Sequence, residues 1–253
     1  MKPCVIFDNH YKNIIMKPIK WTFLLFTSFL FTIAAQAQTV DEIINKHIEA
    51  IGGKENWLKV NTFKMEANIS VQGMEIPVNI FQIHNKASKQ EYTVMNMTGY
   101  TILTSEAGWS FNPMMGQSKP EPMTKDDVEL GKESLDIQGD MLDYAAKGSK
   151  AELMGKEDVD GTSCYKLKLT RKSGNEYVYF IDPSNYYIIR SMNKVKANGQ
   201  EVEQKVNFSN YQKLPEGIVV PLTMENSSIP APINVKKVEV NAPIDESVFK
   251  VAQ

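Results

Sequence analysis

The side chains that could act as base, nucleophile or metal ligand are few. Beyond residue 37 there are two histidines, His47 and His84, and one cysteine, Cys164. His47-Ile48-Glu49 matches the first half of a zinc deaminase signature, in which the histidine holds zinc and the glutamate moves protons. No P-C-x-x-C follows to complete that ligand set. H-E-x-x-H, G-x-S-x-G and the Walker loop do not occur. "KEDVDG" (156–161) is spaced like part of a calcium loop. Its first position is Lys156, however, and its twelfth is Leu167, where a bidentate glutamate belongs. Asp160-Gly161 reads better as a hairpin turn. Asp126 and Asp127 are a carboxylate pair of the kind glycosidases use, but their place at a helix start accounts for them as dipole partners. His47 lies on an apolar helical face, and Cys164 reads as a small buried hydrophobe. The expectation is therefore no catalytic residue, no metal and no cofactor; the chain is not an enzyme.

Gly52-Gly53 poses the same question in another form. A phosphate-cradling loop runs from strand to helix. Here the order is reversed. Thr39 and Glu42 form a capping box, and Val40, Ile43, Ile44, His47, Ile48 and Ile51 follow at helical spacing. Gly52 comes where a left-handed cap is needed, and strands follow. The glycines are a cap and a corner.

From Thr62 the period changes to two. Phe63, Met65, Ala67, Ile69 and Val71 alternate with polar residues, Gly73 turns the chain, and Met74, Ile76, Val78 and Ile80 alternate again. Further strands are expected at 89–97, 100–105 and 107–111. Next come a Pro/Met loop, "NPMMGQSKPEPMT" (112–124), and an acidic helical region over 125–147, broken near Gly131 and Gly139. Hairpins resume at Tyr165/Leu167/Leu169, Tyr177/Tyr179/Ile181, Tyr187/Ile189, Val202/Val206/Phe208, 218–225 and 233–240, punctuated by Asn198-Gly199 and other turn signals. The fold class expected is mainly β with α: a strongly curved antiparallel sheet, an incomplete β-barrel of about 11 strands, with helices covering the concave face.

Residues 16–37, "MKPIKWTFLLFTSFLFTIAAQA", have a basic start, a short apolar core and an A-x-A end, the pattern of a cleaved signal peptide. Residues 1–15 are then an upstream extension, and 38–253 a single half-barrel domain secreted across the inner membrane into the periplasm. Setting aside four lysines and one aspartate leaves 24 basic and 29 acidic side chains, a net charge of −5. That balance argues against nucleic acid as a partner.

Methionine is the residue in excess, with 11 beyond residue 37. Its flexible, polarizable chain suits surfaces that repack around varied apolar guests, although it also fills ordinary cores. Together, "TVDEIINKHIEAIGGKENWLKVNTFKMEA" (39–67), "DGTSCYKLKLTRKSGNEYVYFIDPSNYYIIR" (160–190) and "NFSNYQKLPEGIVVPLTM" (207–224) resemble the LolA/LolB-like superfamily of periplasmic lipoprotein carriers and lipoprotein-sorting proteins. The resemblance covers nearly all of 39–249. It implies a half-barrel whose apolar groove holds acyl chains of lipoproteins or other lipids. Groove positions carry over as Phe63, Met65, Ile69, Ile76, Val78, Met95, Trp109 and Phe111, and lid positions as Met114, Met115, Val128 and Leu135. The partners implied are lipid or lipoprotein acyl chains, with an envelope protein partner possible, and the chain is expected to be a monomer. In the family's carriers an arginine on an early strand latches the lid. Here the only arginines are Arg171 and Arg190, so that latch does not carry over. The alternative function on this fold is a non-enzymatic envelope protein–protein binding module.

Overall fold

A computed structural model describes residues 38–197 and 200–251; the expected leader lies outside them. Thr39 caps helix α1 (Val40–Ala50): its hydroxyl accepts from the Glu42 amide at 3.2 Å, and its own amide donates to the Glu42 carboxylate at 3.0 Å. The face carrying Ile43, Ile44, His47 and Ile48 is buried. Gly52 has φ +113°, and a Cβ there would lie 2.3 Å from the Gly217 carbonyl oxygen. That close approach lets the Val219 amide donate to the Ile51 carbonyl at 2.8 Å, docking the helix end onto the sheet. A short helix, α2 (Lys54–Trp57), follows.

Among the described residues thirteen strands form one open antiparallel sheet. In chain order they are β1 (Thr62–Val71), β2 (Met74–Ile83), β3 (Ala87–Val94), β4 (Met97–Thr104), β5 (Gly108–Phe111), β6 (Glu121–Pro122), β7 (Lys150–Val159), β8 (Thr162–Thr170), β9 (Glu176–Ile181), β10 (Ile188–Ala197), β11 (Gln200–Lys213), β12 (Val219–Asn226) and β13 (Ile233–Val240). Two meanders meet where β1 pairs with β13, giving the order β6-β5-β4-β3-β2-β1-β13-β12-β11-β10-β9-β8-β7. The expected count of about 11 was short by β6 and β7. β6 is only two residues long. β7, "KAELMGKEDV", is rich in helix formers, and a register shift between Leu153 and Lys156 breaks its alternation.

The sheet curls, and its core shows how far. Phe63 on β1 and Leu167 on β8 belong to one buried cluster with Ile43, Ile44 and Ile48 of α1. Six strand spacings separate β1 from β8, about 29 Å on a flat sheet at roughly 4.8 Å each. A single buried cluster can take in both strands and α1 only because the sheet wraps around it, so α1 lies on the concave face.

The acidic region is less helical than expected. It holds α3 (Lys125–Gly131), capped by Thr124, and a 3-10 turn (Lys132–Leu135), then irregular chain from 136 to 149. Gly139 takes a positive φ of +84° there, consistent with the broken pattern. The C-terminal segment crosses to the outer face, where Ile244 and Phe249 pack with Phe81, Ala87, Ile102 and Trp109. Among the described residues no helix is long and apolar enough to cross a membrane.

Candidate functional site

The antiparallel register defines what the concave face offers. Phe63, Met65, Ala67 and Ile69 of β1 stand opposite Gln82, Ile80, Val78 and Ile76 of β2, and opposite Val240, Val238, Val235 and Ile233 of β13. Ile233 faces Met224 of β12, which faces Phe208 of β11. Directly paired residues point to the same side of a sheet. One row therefore runs Phe208–Met224–Ile233–Ile69–Ile76, and the next holds Val235, Ala67, Val78 and Tyr92. At the Phe63 end these strands are sealed by α1 and α2, with Trp57, Val60, Ile218 and Val240 buried. Toward the Ile69 end, Met65, Ile69, Ile76, Val78, Leu222, Met224 and Ile233 are only half-buried. The result is an apolar trough, closed at one end and open at the other.

Five of the eight expected groove positions (Phe63, Met65, Ile69, Ile76 and Val78) share this face, with Phe63 already inside the closed core. The other three are elsewhere. Met95 sits in the β3–β4 turn with φ +49° and is exposed. Trp109 pairs with Ile102, in register with Lys89, Phe81 and Lys64; that row is the outer face, and Phe111 shares its side. The reason is the second small core around Phe249. Its sequence signal is the pair Ile102-Leu103, adjacent yet both buried, which requires cover on both faces of β4. Of the lid positions, Val128 and Leu135 are buried against Leu103 and Met123 over β4, whereas Met114 and Met115 are exposed in a 3-10 turn (Pro113–Met115). No lid position lies over the β1–β2 trough.

The irregular segment after α3 instead acts as a strap between the two wings of the sheet. On the β2–β3 side, the Asn85 amide donates to the Leu135 carbonyl at 2.8 Å, and Gln82 donates to the Ser134 carbonyl at 2.9 Å. His84 Nδ1 accepts from the Ile137 amide at 3.3 Å and lies 3.5 Å from Asp136. On the β8–β9 side, Arg171 donates to Asp140 at 2.8 Å and stacks over the Tyr177 ring at 4.1 Å. The Tyr179 hydroxyl also donates to Asp140, and Ser173 donates to Glu133. Arg171 thus holds the strap from the late side of the sheet, a role with no motif to mark it. A cavity of about 330 Å³ lies between strap, α1 and sheet, lined by His47, Ile48, Trp57, Asp140, Arg171 and Tyr179 among others.

The residues that the sequence singles out for chemistry are buried or engaged in local structure. His47 Nδ1 donates to the Tyr186 carbonyl at 2.7 Å, and burial pushes its pKa down, keeping the ring neutral. Cys164 is fully buried, and burial raises its thiol to about 11. Asp160-Gly161 forms the β7–β8 turn with both φ positive. Asp127 caps α3 with Thr124. Among the described residues no group of three or more His, Cys, Asp or Glu is placed to hold a metal ion.

No family model matches this sequence, and no curated protein matches it significantly. Solved structures do match. A DUF1329 family protein from Desulfovibrio piger superposes with a TM-score of 0.52 at 15% identity, covering 83% of this chain and 97% of that one. A LolA superfamily protein from Nitrosomonas europaea superposes with a TM-score of 0.50 at 14% identity, covering 85% of this chain and 98% of that one. At such identities the likeness concerns the fold: this chain has a LolA-like fold.

Proposed function

We propose that this chain is an exported, non-enzymatic carrier that shelters acyl chains, of lipoproteins or of free lipids, in the half-open trough of its concave face. The observation that carries the proposal is the continuous apolar row Phe208–Met224–Ile233–Ile69–Ile76, left half-exposed in a sheet that buries the other end of the same strands. Burying a methylene is worth about 0.8 kcal/mol, so a dozen offer roughly 10 kcal/mol before ordering costs, with no polar anchor needed. The LolA-like fold supports this reading, and the leader-like pattern of residues 16–37 supports a periplasmic location. Buried, neutral His47 and the buried Cys164 with its raised thiol pKa fit structural roles rather than catalytic ones.

The test is mass spectrometry of an organic extract of the protein, purified from an envelope fraction without detergent. Stoichiometric acyl species are expected. Ile69→Asp and Ile76→Asp, at half-exposed positions, should weaken a fluorescent fatty-acid probe at least tenfold without unfolding the protein. An empty wild-type protein that leaves the probe unshifted overturns the proposal. If it also retains one stoichiometric protein partner, the binding-module reading takes its place.

A further inference from the structure

The strands of the trough are polarised along their length. In an antiparallel meander alternate turns fall at the same end, so the β1–β2, β3–β4, β5–β6 and β12–β13 connections share the open end of the trough. Neighbours in sheet order, they form one rim. Their sequences carry almost no charge. No Asp, Glu, Lys or Arg occurs in residues 67–74, 76–85, 92–105, 107–118 or 226–235. Glu75 on β2 and Lys119 in the β5–β6 connection are the exceptions; Glu75 accepts hydrogen bonds from Ser70 and Asn68, which lower its pKa and hold it ionised. At the opposite end the turns and tail hold Lys59, Lys86, Glu106, Glu216, Asp245 and Glu246.

The rim presents apolar side chains to solvent. Met95 and Met115 are 73% and 80% exposed, and Met74, Met97 and Met114 are exposed beside them. Ile229 lies in the β12–β13 loop with Pro230, Ala231 and Pro232. Exposed apolar groups gathered at one end of a molecule mark a contact surface. Two features decide what it contacts. A protein partner is usually gripped by Trp, Tyr or Arg anchors seated in pockets, and the four turns themselves have none of these three residue types. A line of separate loop tips bearing thioether and aliphatic groups, with no basic cluster, matches a neutral lipid interface into which small apolar groups insert without electrostatic attraction.

We propose that this sparsely charged methionine rim is a membrane-docking surface, which settles on the bilayer so that the mouth of the trough faces lipid. It goes beyond the carrier reading, because docking is measured on the vesicle and cargo is measured in the extract.

The experiment uses the exported chain purified from the envelope and vesicles of phosphatidylcholine and phosphatidylethanolamine. Flotation should recover wild-type protein with the vesicles, and the partition coefficient should change less than twofold between 50 and 500 mM salt. The double substitution Met95→Lys/Met115→Lys, at exposed positions, should lower the coefficient at least tenfold while leaving acyl content per protein unchanged. Met95→Leu/Met115→Leu should bind as the wild type does. An environment-sensitive fluorophore on Met115→Cys should shift to the blue on adding vesicles, and one on Glu106→Cys, at the other end, should not; buried Cys164 stays unlabelled. The proposal is overturned if wild type stays with the aqueous fraction, if the double lysine variant floats equally, or if salt abolishes the binding. Loss with the leucine variant as well would also overturn it, pointing to thioether coordination instead.

Discussion

Removing the Arg171 guanidinium tests whether the strap is held from the β8–β9 side. Arg171→Met keeps most of the aliphatic stem, so packing is largely preserved. It deletes a charge-assisted hydrogen bond to Asp140, worth about 1.5–3 kcal/mol, and a cation–π contact with Tyr177, worth about 0.5–2 kcal/mol. Two effects reduce the sum. Asp140 keeps the Tyr179 hydroxyl as a donor, and the paired side chains remain 11% and 16% exposed, so water partly resolvates the orphaned carboxylate. A net loss of about 2–3 kcal/mol is expected, which for a chain of this size lowers Tm by roughly 6 °C. Because the contact joins strap to sheet, the loss should appear first as local opening. Amide exchange over 136–149 should accelerate about thirtyfold for a 2 kcal/mol change, ahead of the rest of the molecule. A double-mutant cycle with Asp140→Asn isolates the pair, and coupling of at least about 1 kcal/mol is expected. Coupling below about 0.3 kcal/mol, with exchange over 136–149 unchanged, would refute the strap argument.

Three further outcomes follow from the same geometry. Burial holds His47 neutral with a lowered pKa, so the unfolded chain takes up this proton near pH 6.5 while the folded chain resists until lower pH. Its contribution is complete above about 6.5 and declines as pH falls below it, by up to roughly 1.4 kcal/mol per pH unit; urea melts at pH 7.5 and 5.5 should show a smaller loss in His47→Gln than in wild type. Cys164, buried with its thiol near 11, should resist iodoacetamide at pH 8 in the native state and react on unfolding; fast native labelling counts against the outer-face core of Val159, Cys164 and Phe180. Finally, Phe63→Ala should cost about 3–5 kcal/mol in the closed core, whereas Ile69→Ala on the same strand should cost nearer 1 and act mainly on probe affinity; equal costs in denaturant melts would mean the trough is filled core.

What could be read from the chain alone depended on how local the deciding interaction was. The capping box of Thr39 and Glu42, the Gly52 corner and the Asp160-Gly161 turn are all settled within a few residues, and each stands as the sequence suggests. The alternation of β1 and β2 is equally local and correctly groups Met65, Ile69, Ile76 and Val78 on one side. Alternation cannot say which side of a strand faces which core, and that is where Trp109 and Phe111 went astray. The cover over Trp109 comes from Ile244 and Phe249, more than 130 residues away in sequence. β7 was obscured by its register shift and helix-forming residues. The role of Arg171 has no local signal, because only the fold brings Asp140, 31 residues earlier, to its guanidinium.

The arrangement separates two demands that conflict in any protein meant to hold an apolar guest. A fully closed core would be more stable and bind nothing; a fully open apolar sheet would associate with itself. In this chain the same strands serve both ends: α1, α2 and Trp57 close the concave face at the Phe63 end, while the face is left half-covered at the Ile69 end. Charge follows the same axis, since the turns next to the closed end carry more of it than the β1–β2, β3–β4, β5–β6 and β12–β13 turns at the open end. An exposed apolar end without flanking charge is a liability unless something apolar meets it. The low charge at the open end is what the proposed cargo in the trough and the proposed lipid at the rim would both require, each on its own part of the exposed surface.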